Sequence, residues 1–277
     1  MHPILFTVGG LEVHTYGVMA AVGFLFGVTG AAILGSRPGP SGRSEGDLSW
    51  DFLWDLAIVL IVGAVVGSRL EYVRTRWAKY AAAPMEILDL RDGGLVFYGG
   101  LIGAVLSALL FIRWRRKPVW RVLDLYAPFI VLGHAFGRIG CFAAGCCYGA
   151  PTDVPWAVVY PMGGKPPGGV PLHPTQLYEV LTNVLVGAVL LGVRARGPRG
   201  GATNGEGLTF AALLVLYPAF RVVNELFRGD GIRGYVAGGV TNGQAISAAL
   251  FAAGLVLLWT RWPRPGSGPK PGVNTAR

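Results

Sequence analysis

Charge is scarce in this chain, and negative charge scarcest. Only 14% of its 277 residues are Asp, Glu, Lys or Arg, against 52% hydrophobic residues, and the mean hydropathy is +0.50. A water-soluble domain cannot hide that much apolar surface, because its own exterior has to stay polar, so lipid is the expected solvent. Fifteen acidic residues stand against twenty-four Lys and Arg, a formal +9. In a soluble protein that excess would point to nucleic acid. Here the basic residues sit mainly in short loops between apolar runs, where membrane topology and anionic headgroups account for them, and no nucleic-acid partner is expected. Cysteine is limited to Cys141, Cys146 and Cys147. Their C-x4-C-C run lacks flanking histidines and is no recognised zinc spacing, so neither a metal nor a cofactor is expected. No basic stretch followed by an apolar core and a small-residue cleavage site opens the chain, so the first helix is expected to remain as an anchor. Internal repeats are also missing. No serine-plus-histidine pair in the apolar segments suggests an intramembrane serine protease, and no broken helix pair at midplane depth suggests a transporter.

Seven apolar segments approach or exceed the roughly 20 residues that cross a hydrocarbon core about 30 Å thick. They run over about 15–35, 50–70, 94–113, 121–142, 174–193, 207–227 and 243–262. Helices alone close their backbone hydrogen bonds within one segment, and no alternating barrel pattern appears. The expected architecture is an all-α polytopic membrane protein with about seven transmembrane helices, one domain over 1–262. A Pro-, Gly- and Lys-rich tail over 263–277 is expected to be disordered. Loops after the first, third and fifth helices, with the tail, hold fourteen Lys and Arg, and the opposite side holds eight. The positive-inside rule then puts the N-terminus outside and the C-terminus in the cytoplasm. Two outer segments, Glu71 to Asp92 and about 149–173, read as arms at the lipid–water boundary, carrying Trp77, Tyr80, Trp156 and Tyr160. Asp51, Asp55 and Asp124 read as helix-start charges that favour the dipole.

Ionisable groups inside spanning segments are costly and default to function. The fourth segment ends with His134, Arg138 and Cys141 at i, i+4, i+7, on one helical face, with Gly137 and Gly140 expected to leave space beside the guanidinium. Arg221, Glu225 and Arg228 repeat that spacing in the sixth. With the topology above, Tyr16, Tyr98, Arg138, Cys141, His173, Gln176, Tyr178, Arg221, Glu225 and Arg228 reach one depth on the outer side. Several arginines in a partly desolvated pocket favour a bidentate anionic partner, and a phospholipid phosphate is the anion available at that depth. An arginine also stabilises charge on a departing phosphate. The spacing leaves substrate, cargo and structural lipid open, and the cysteine cluster leaves a thiol–disulfide oxidoreductase open.

Thr15-Tyr16-Gly17-Val18, Phe97-Tyr98-Gly99-Gly100-Leu101-Ile102-Gly103, the GRIGCFAAGCCYG run from Gly137 to Gly149, His173-Pro174-Thr175-Gln176-Leu177-Tyr178-Glu179 and Arg221-x-x-x-Glu225-x-x-Arg228 occur in that order. Together they resemble the prolipoprotein diacylglyceryl transferase family over nearly the whole chain. The resemblance implies transfer of diacylglycerol from phosphatidylglycerol to the lipobox cysteine of a prolipoprotein signal peptide, with release of glycerol phosphate, at the outer leaflet of a bacterial cytoplasmic membrane. It implies catalytic roles for Arg138, Arg221, Glu225, Tyr98 and Tyr16. It implies substrate contacts by Arg138, Gly99, Gly100, Gly137, Cys141, Gly149, His173, Gln176, Tyr178 and Arg228. The pattern departs from the family at three places: a histidine is typical where this chain has Tyr98, an asparagine where it has Cys141 and a carboxylate where it has Cys146. A phenol with a reference pKa near 10 is a poor base, so the lipid half of the site is better preserved than the thiol-activating half. A relative acting on another acceptor, or one using Glu225 or His173 as base, is the alternative.

Overall fold

The chain opens with a β-hairpin that periodicity of helices does not reveal. In the computed structural model, which describes residues 1–36, 48–89, 93–196, 206–230, 234–236 and 238–262, β1 (Ile4–Val8) pairs antiparallel with β2 (Leu11–His14). Both turn residues, Gly9 and Gly10, hold positive φ of 56° and 83°, as a two-residue hairpin turn of the right twist requires. The hairpin exposes Leu5, Phe6 and Val8.

Among the described residues seven long helices follow: α1 (Thr15–Gly35), α2 (Trp50–Thr75), α4 (Phe97–Trp114), α5 (Val119–Ala144), α6 (Thr175–Arg196), α7 (Leu208–Leu226) and α8 (Asn242–Arg261). Each is long and apolar enough to cross a membrane, and their large exposed Leu, Ile, Val and Phe side chains suit contact with lipid chains. Helix α2 outruns its expected end by one turn, so Glu71 to Thr75 belong to the span. Beyond it the short α3 (Trp77–Ala82) and a 3-10 turn (Pro84–Leu88) form the first arm. Arg69 organises that arm: its guanidinium donates to the carbonyls of Ile87, Glu86 and Asp89 at 2.7–2.8 Å and packs against Tyr72 and Tyr80. The second arm carries β3 (Val158–Val159) paired with β4 (Pro171–Leu172). Tyr160, expected at the lipid–water boundary, is instead buried there at 2% exposure, its hydroxyl donating to Gln176 Oε1. The expected disordered tail, 263–277, lies outside the described residues.

Contacts divide the chain into two units, one of Met1–Ala31 with the chain from Leu123 onward, the other centred on residues 48–122. In the second unit, α2 and α4 lie backbone to backbone. A side chain at Gly67 would strike Gly99 O and Gly103 Cα, and one at Gly100 would strike Ser68 Oγ. Small residues thus let two apolar helices approach where no water drives them together. Gly99 and Gly100 therefore have a packing role of their own. Asp55 in α2 ion-pairs with Arg115 past the end of α4 at 3.2 Å.

In the first unit, Gly23 of α1 crosses Gly133 of α5. Ala127, Val131, Val186, Leu190 and Leu213 join α5, α6 and α7 in one apolar cluster. Asp124 does not serve its own helix start as expected. Its carboxylate accepts from Gly207 N at 2.6 Å and Phe210 N at 2.8 Å, capping the N-terminus of α7, whose first amides have no intrahelical acceptor. At the end of the chain, α8 begins with a reciprocal capping box of Thr241 and Gln244.

The α2–α4 crossing yields a prediction. Gly67→Val should overpack it and cost about 1–3 kcal/mol, seen as a lower thermal unfolding midpoint of the detergent-solubilised protein.

Candidate active site

The polar centre of the first unit is built on one buried carboxylate. Glu179, in the second turn of α6, is 4% exposed and receives two arginines from different helices. Arg138 of α5 places Nε against Glu179 Oε2, and Arg221 of α7 places Nη1 2.9 Å from Glu179 Oε1. The same Arg221 nitrogen lies 2.8 Å from Glu225 Oε2, one turn along α7. Arg228, just past the helix end, reaches Glu225 at 3.6 Å and grips Asp230 with Nε at 3.0 Å and Nη2 at 2.6 Å. Burial opposes the charge of Arg228, but the Asp230 carboxylate outweighs it and raises the guanidinium pKa above its ordinary value.

Three guanidinium and three carboxylate groups make this network formally neutral. Charge imbalance therefore does not by itself call for an outside anion, as the arginines alone suggest. Geometry does more. Among the described residues, Arg138 makes a hydrogen bond only from Nε, to His134 Nε2 at 3.2 Å, and Arg221 only from Nη1, to Glu179. Each guanidinium carries five N–H donors in a rigid fork, so the outer nitrogens of both remain able to donate. Beside Arg138, a methyl group at Gly137 would meet nothing within 4 Å, whereas one at Gly140 would press on Tyr16 Cα and Met19 Cβ. The expected space is present at Gly137 only; Gly140 is a close α1–α5 contact.

A second layer holds these groups still. His134 pairs its Nδ1 with the Asn183 amide at 3.1 Å and lies edge-on to Tyr217, with ring centroids 5.7 Å apart. Tyr217, Asn183, Thr182, Val186 and Phe220 line a small cleft that ends on Glu179 and Arg221. Gly243, near the start of α8, lies beside the Arg221–Glu225 pair, where an added methyl would make an ordinary contact with Glu225 Oε2 at 3.6 Å.

The loop after α5 is stitched to the same helices. Gly145, with φ of +68°, ends α5. Buried Thr175 donates to Cys147 O at 2.6 Å and buried Gln176 to Cys146 O at 2.8 Å. Gly149 N donates to His173 O and Ala150 N to Phe227 O. His173 belongs to an aromatic knot: its Nδ1 lies 3.1 Å from Tyr178 Oη, which also accepts from Trp156 Nε1 at 2.7 Å, and Phe227 packs against both rings. The sulfur atoms of Cys141, Cys146 and Cys147 all lie within 4.8 Å of one another.

Of the residues singled out in the sequence, Arg138, Arg221, Glu225 and Arg228 meet in one network. Tyr16 sits beside the last turns of α5, in electrostatic range of Arg138. His173, Gln176, Tyr178 and Gly149 form the adjoining loop framework. Tyr98, Gly99 and Gly100 belong to the other unit, where Tyr98 is exposed at the start of α4. Sequence reasoning passed over Glu179, Asn183, Tyr217 and Asp230. Glu179 carried a signal, as the last residue of the His173–Glu179 motif and an acidic residue in an apolar helix.

The architecture and site define a polytopic helical membrane protein whose buried arginines are clamped by carboxylates and keep donors in hand. The chain belongs to the prolipoprotein diacylglyceryl transferase family, whose model matches residues 3–260. It is similar to the phosphatidylglycerol–prolipoprotein diacylglyceryl transferase of Bordetella bronchiseptica, with 39% identity over 94% of this chain and 96% of that one. Its likeness to the proteins of the same name from Pseudomonas syringae pv. syringae and Nostoc sp. is 36% over 97% and 96%, and 33% over 94% and 90%.

Removing the shared carboxylate should be costly. Glu179→Ala would leave two buried guanidinium groups uncompensated, a loss of about 3–5 kcal/mol for a broken buried pair, visible as a large drop in thermal midpoint. Glu179→Ala combined with Arg138→Met should recover part of it.

Proposed function

We propose that this chain transfers the diacylglyceryl group of phosphatidylglycerol to the cysteine thiol of prolipoproteins. One bond forms, between the thiol sulfur and the glyceryl carbon; one breaks, between that carbon and the phosphodiester oxygen, and glycerol phosphate leaves. The thiol proton is balanced by the proton the departing phosphate can take up. Membership of the family supports the reaction class. The pair Arg138–Arg221 carries the reading of the site. Each guanidinium is fixed by Glu179 through one nitrogen and presents its remaining donors to a phosphate, which is the geometry that stabilises charge developing on a leaving group.

Glu225 is a weak choice of base in this reading. This buried carboxylate already faces two guanidinium groups, Arg221 at 2.8 Å and Arg228 at 3.6 Å. Thiol activation then rests more on the positive field of the site and on proximity to the bound lipid than on a dedicated base. The finer parts of the proposal follow the Lys/Arg asymmetry and the resemblance: N-terminus outside, C-terminus cytoplasmic, the arginines toward the extracytoplasmic leaflet, and a lipobox-bearing signal peptide as acceptor. Tyr16, Gly137 and Cys141 line the lipid path, His173, Gln176, Tyr178 and Gly149 shape the acceptor side, and the resemblance alone assigns Tyr98 to the reaction.

The test is complementation. Expression of this chain should restore lipoprotein modification in a bacterium depleted of its own transferase, and Arg138→Ala should abolish rescue while the protein still accumulates in the membrane. Rescue by Arg138→Ala would refute the phosphate role. Tyr98→His should retain at least the activity of the native chain, measured as phosphatidylglycerol-dependent lipidation of a lipobox peptide; a collapse would assign the phenol a role of its own.

A further inference from the structure

We propose that Cys141, Cys146 and Cys147 form a three-sulfur binding site for a thiophilic metal ion, with Cu(I) the cation that fits it. The three Sγ atoms lie within 4.8 Å of one another. An ion bound at a metal–sulfur distance of about 2.3 Å holds three sulfurs about 4 Å apart, so small side-chain adjustments convert the cluster into a trigonal cage. Among the described residues no His, Asp or Glu joins the group. Structural zinc sites take four protein ligands, and hard cations take oxygen. A set of thiolates alone selects soft ions, Cu(I) foremost.

The backbone is arranged for this convergence. The spacing C-x4-C-C does not bring three thiols together on a helix; the turn does. Gly145 leaves the helix at positive φ, and Cys146 N donates back to Cys141 O at 3.1 Å, which folds residue 146 over the last turn of α5. Cys147 then adopts a left-handed conformation, φ +62°. That is an unfavourable state for a residue with a side chain, and it persists only where the surroundings enforce it. Here two buried side chains of α6 enforce it: Thr175 holds the Cys147 carbonyl and Gln176 the Cys146 carbonyl. Such outer supports are what fix ligands around a metal. Arg138 and Arg228 lie in electrostatic range of Cys147, offsetting the negative charge of a cation bound by three thiolates. Cys141 is buried while Cys146 and Cys147 are partly exposed, so the cage opens on one side for entry.

The experiment uses the full chain, purified in detergent under argon after reduction. Cu(I) is supplied as its bicinchoninate complex, and transfer to the protein is followed by loss of the complex's colour, alongside a count of thiols accessible to a disulfide reagent. The expected result is one Cu(I) per chain, with all three thiols protected. Cys146→Ser and Cys147→Ser should each lower affinity by about a hundredfold, and Thr175→Val, which frees the Cys147 carbonyl but keeps every ligand, by about tenfold. Thermal unfolding of each variant without metal separates lost ligands from lost folding. Affinity unchanged in the cysteine variants would overturn the proposal. So would binding of Zn(II) in preference to Cu(I), or a stable disulfide whose reduction yields no metal binding.

Discussion

Two arginines on one buried carboxylate are the constraint on which the remainder of this site depends. Glu179 lies in α6, Arg138 in α5 and Arg221 in α7, so the carboxylate is the junction of three helices as well as of three charges. Each group alone would be expensive in an apolar medium, and the pairing is what makes their burial tolerable. The balance continues outward through Glu225, Arg228 and Asp230. A cluster that neutralises itself can wait in the membrane without a ligand, and still offer N–H groups on its open side.

The supporting layer explains why such groups do not simply rearrange. His134 is held between Arg138, Asn183 and Tyr217, so it serves to orient its neighbours. The loop from Gly145 to Ala150 is tied by backbone bonds to His173 and to the end of α7, and by the Thr175 and Gln176 side chains to α6. Positioning of this kind matters most where the reacting partners, a lipid and a peptide thiol, arrive by diffusion within a bilayer.

Most of the architecture was legible in the order of residues, because a membrane span is a statement about local composition. All seven long helices fall on apolar segments read from the chain, with α2 one turn longer than expected. The polar network was only half legible. Spacing along one helix revealed Arg221, Glu225 and Arg228, but Glu179 stands 41 residues from Arg138, and no periodicity connects them. Asp124 was misread for a related reason: a carboxylate near the start of α5 caps α7, eighty-odd residues away. Tyr160 looked like an interfacial aromatic and is packed inside the second arm. The hairpin has a local cue, Gly9-Gly10 between two short runs, but each strand is too short for its alternation to stand out beside the long apolar segments. The cysteines show the opposite limit, since their spacing matched no metal motif while a left-handed residue brings the sulfurs together.

The cap that Asp124 places on α7 has one more consequence. Helices α5 and α7 are joined twice, near their beginnings by this carboxylate and near their ends through Glu179. From Asp124 to Arg138 is fourteen residues, a rise of about 21 Å at 1.5 Å per residue. The lower fastening thus acts as the zero mark of a ruler. It meters how far the arginines sit from the Asp124 end of the helix pair, and any axial slip of one helix past the other must undo both fastenings together.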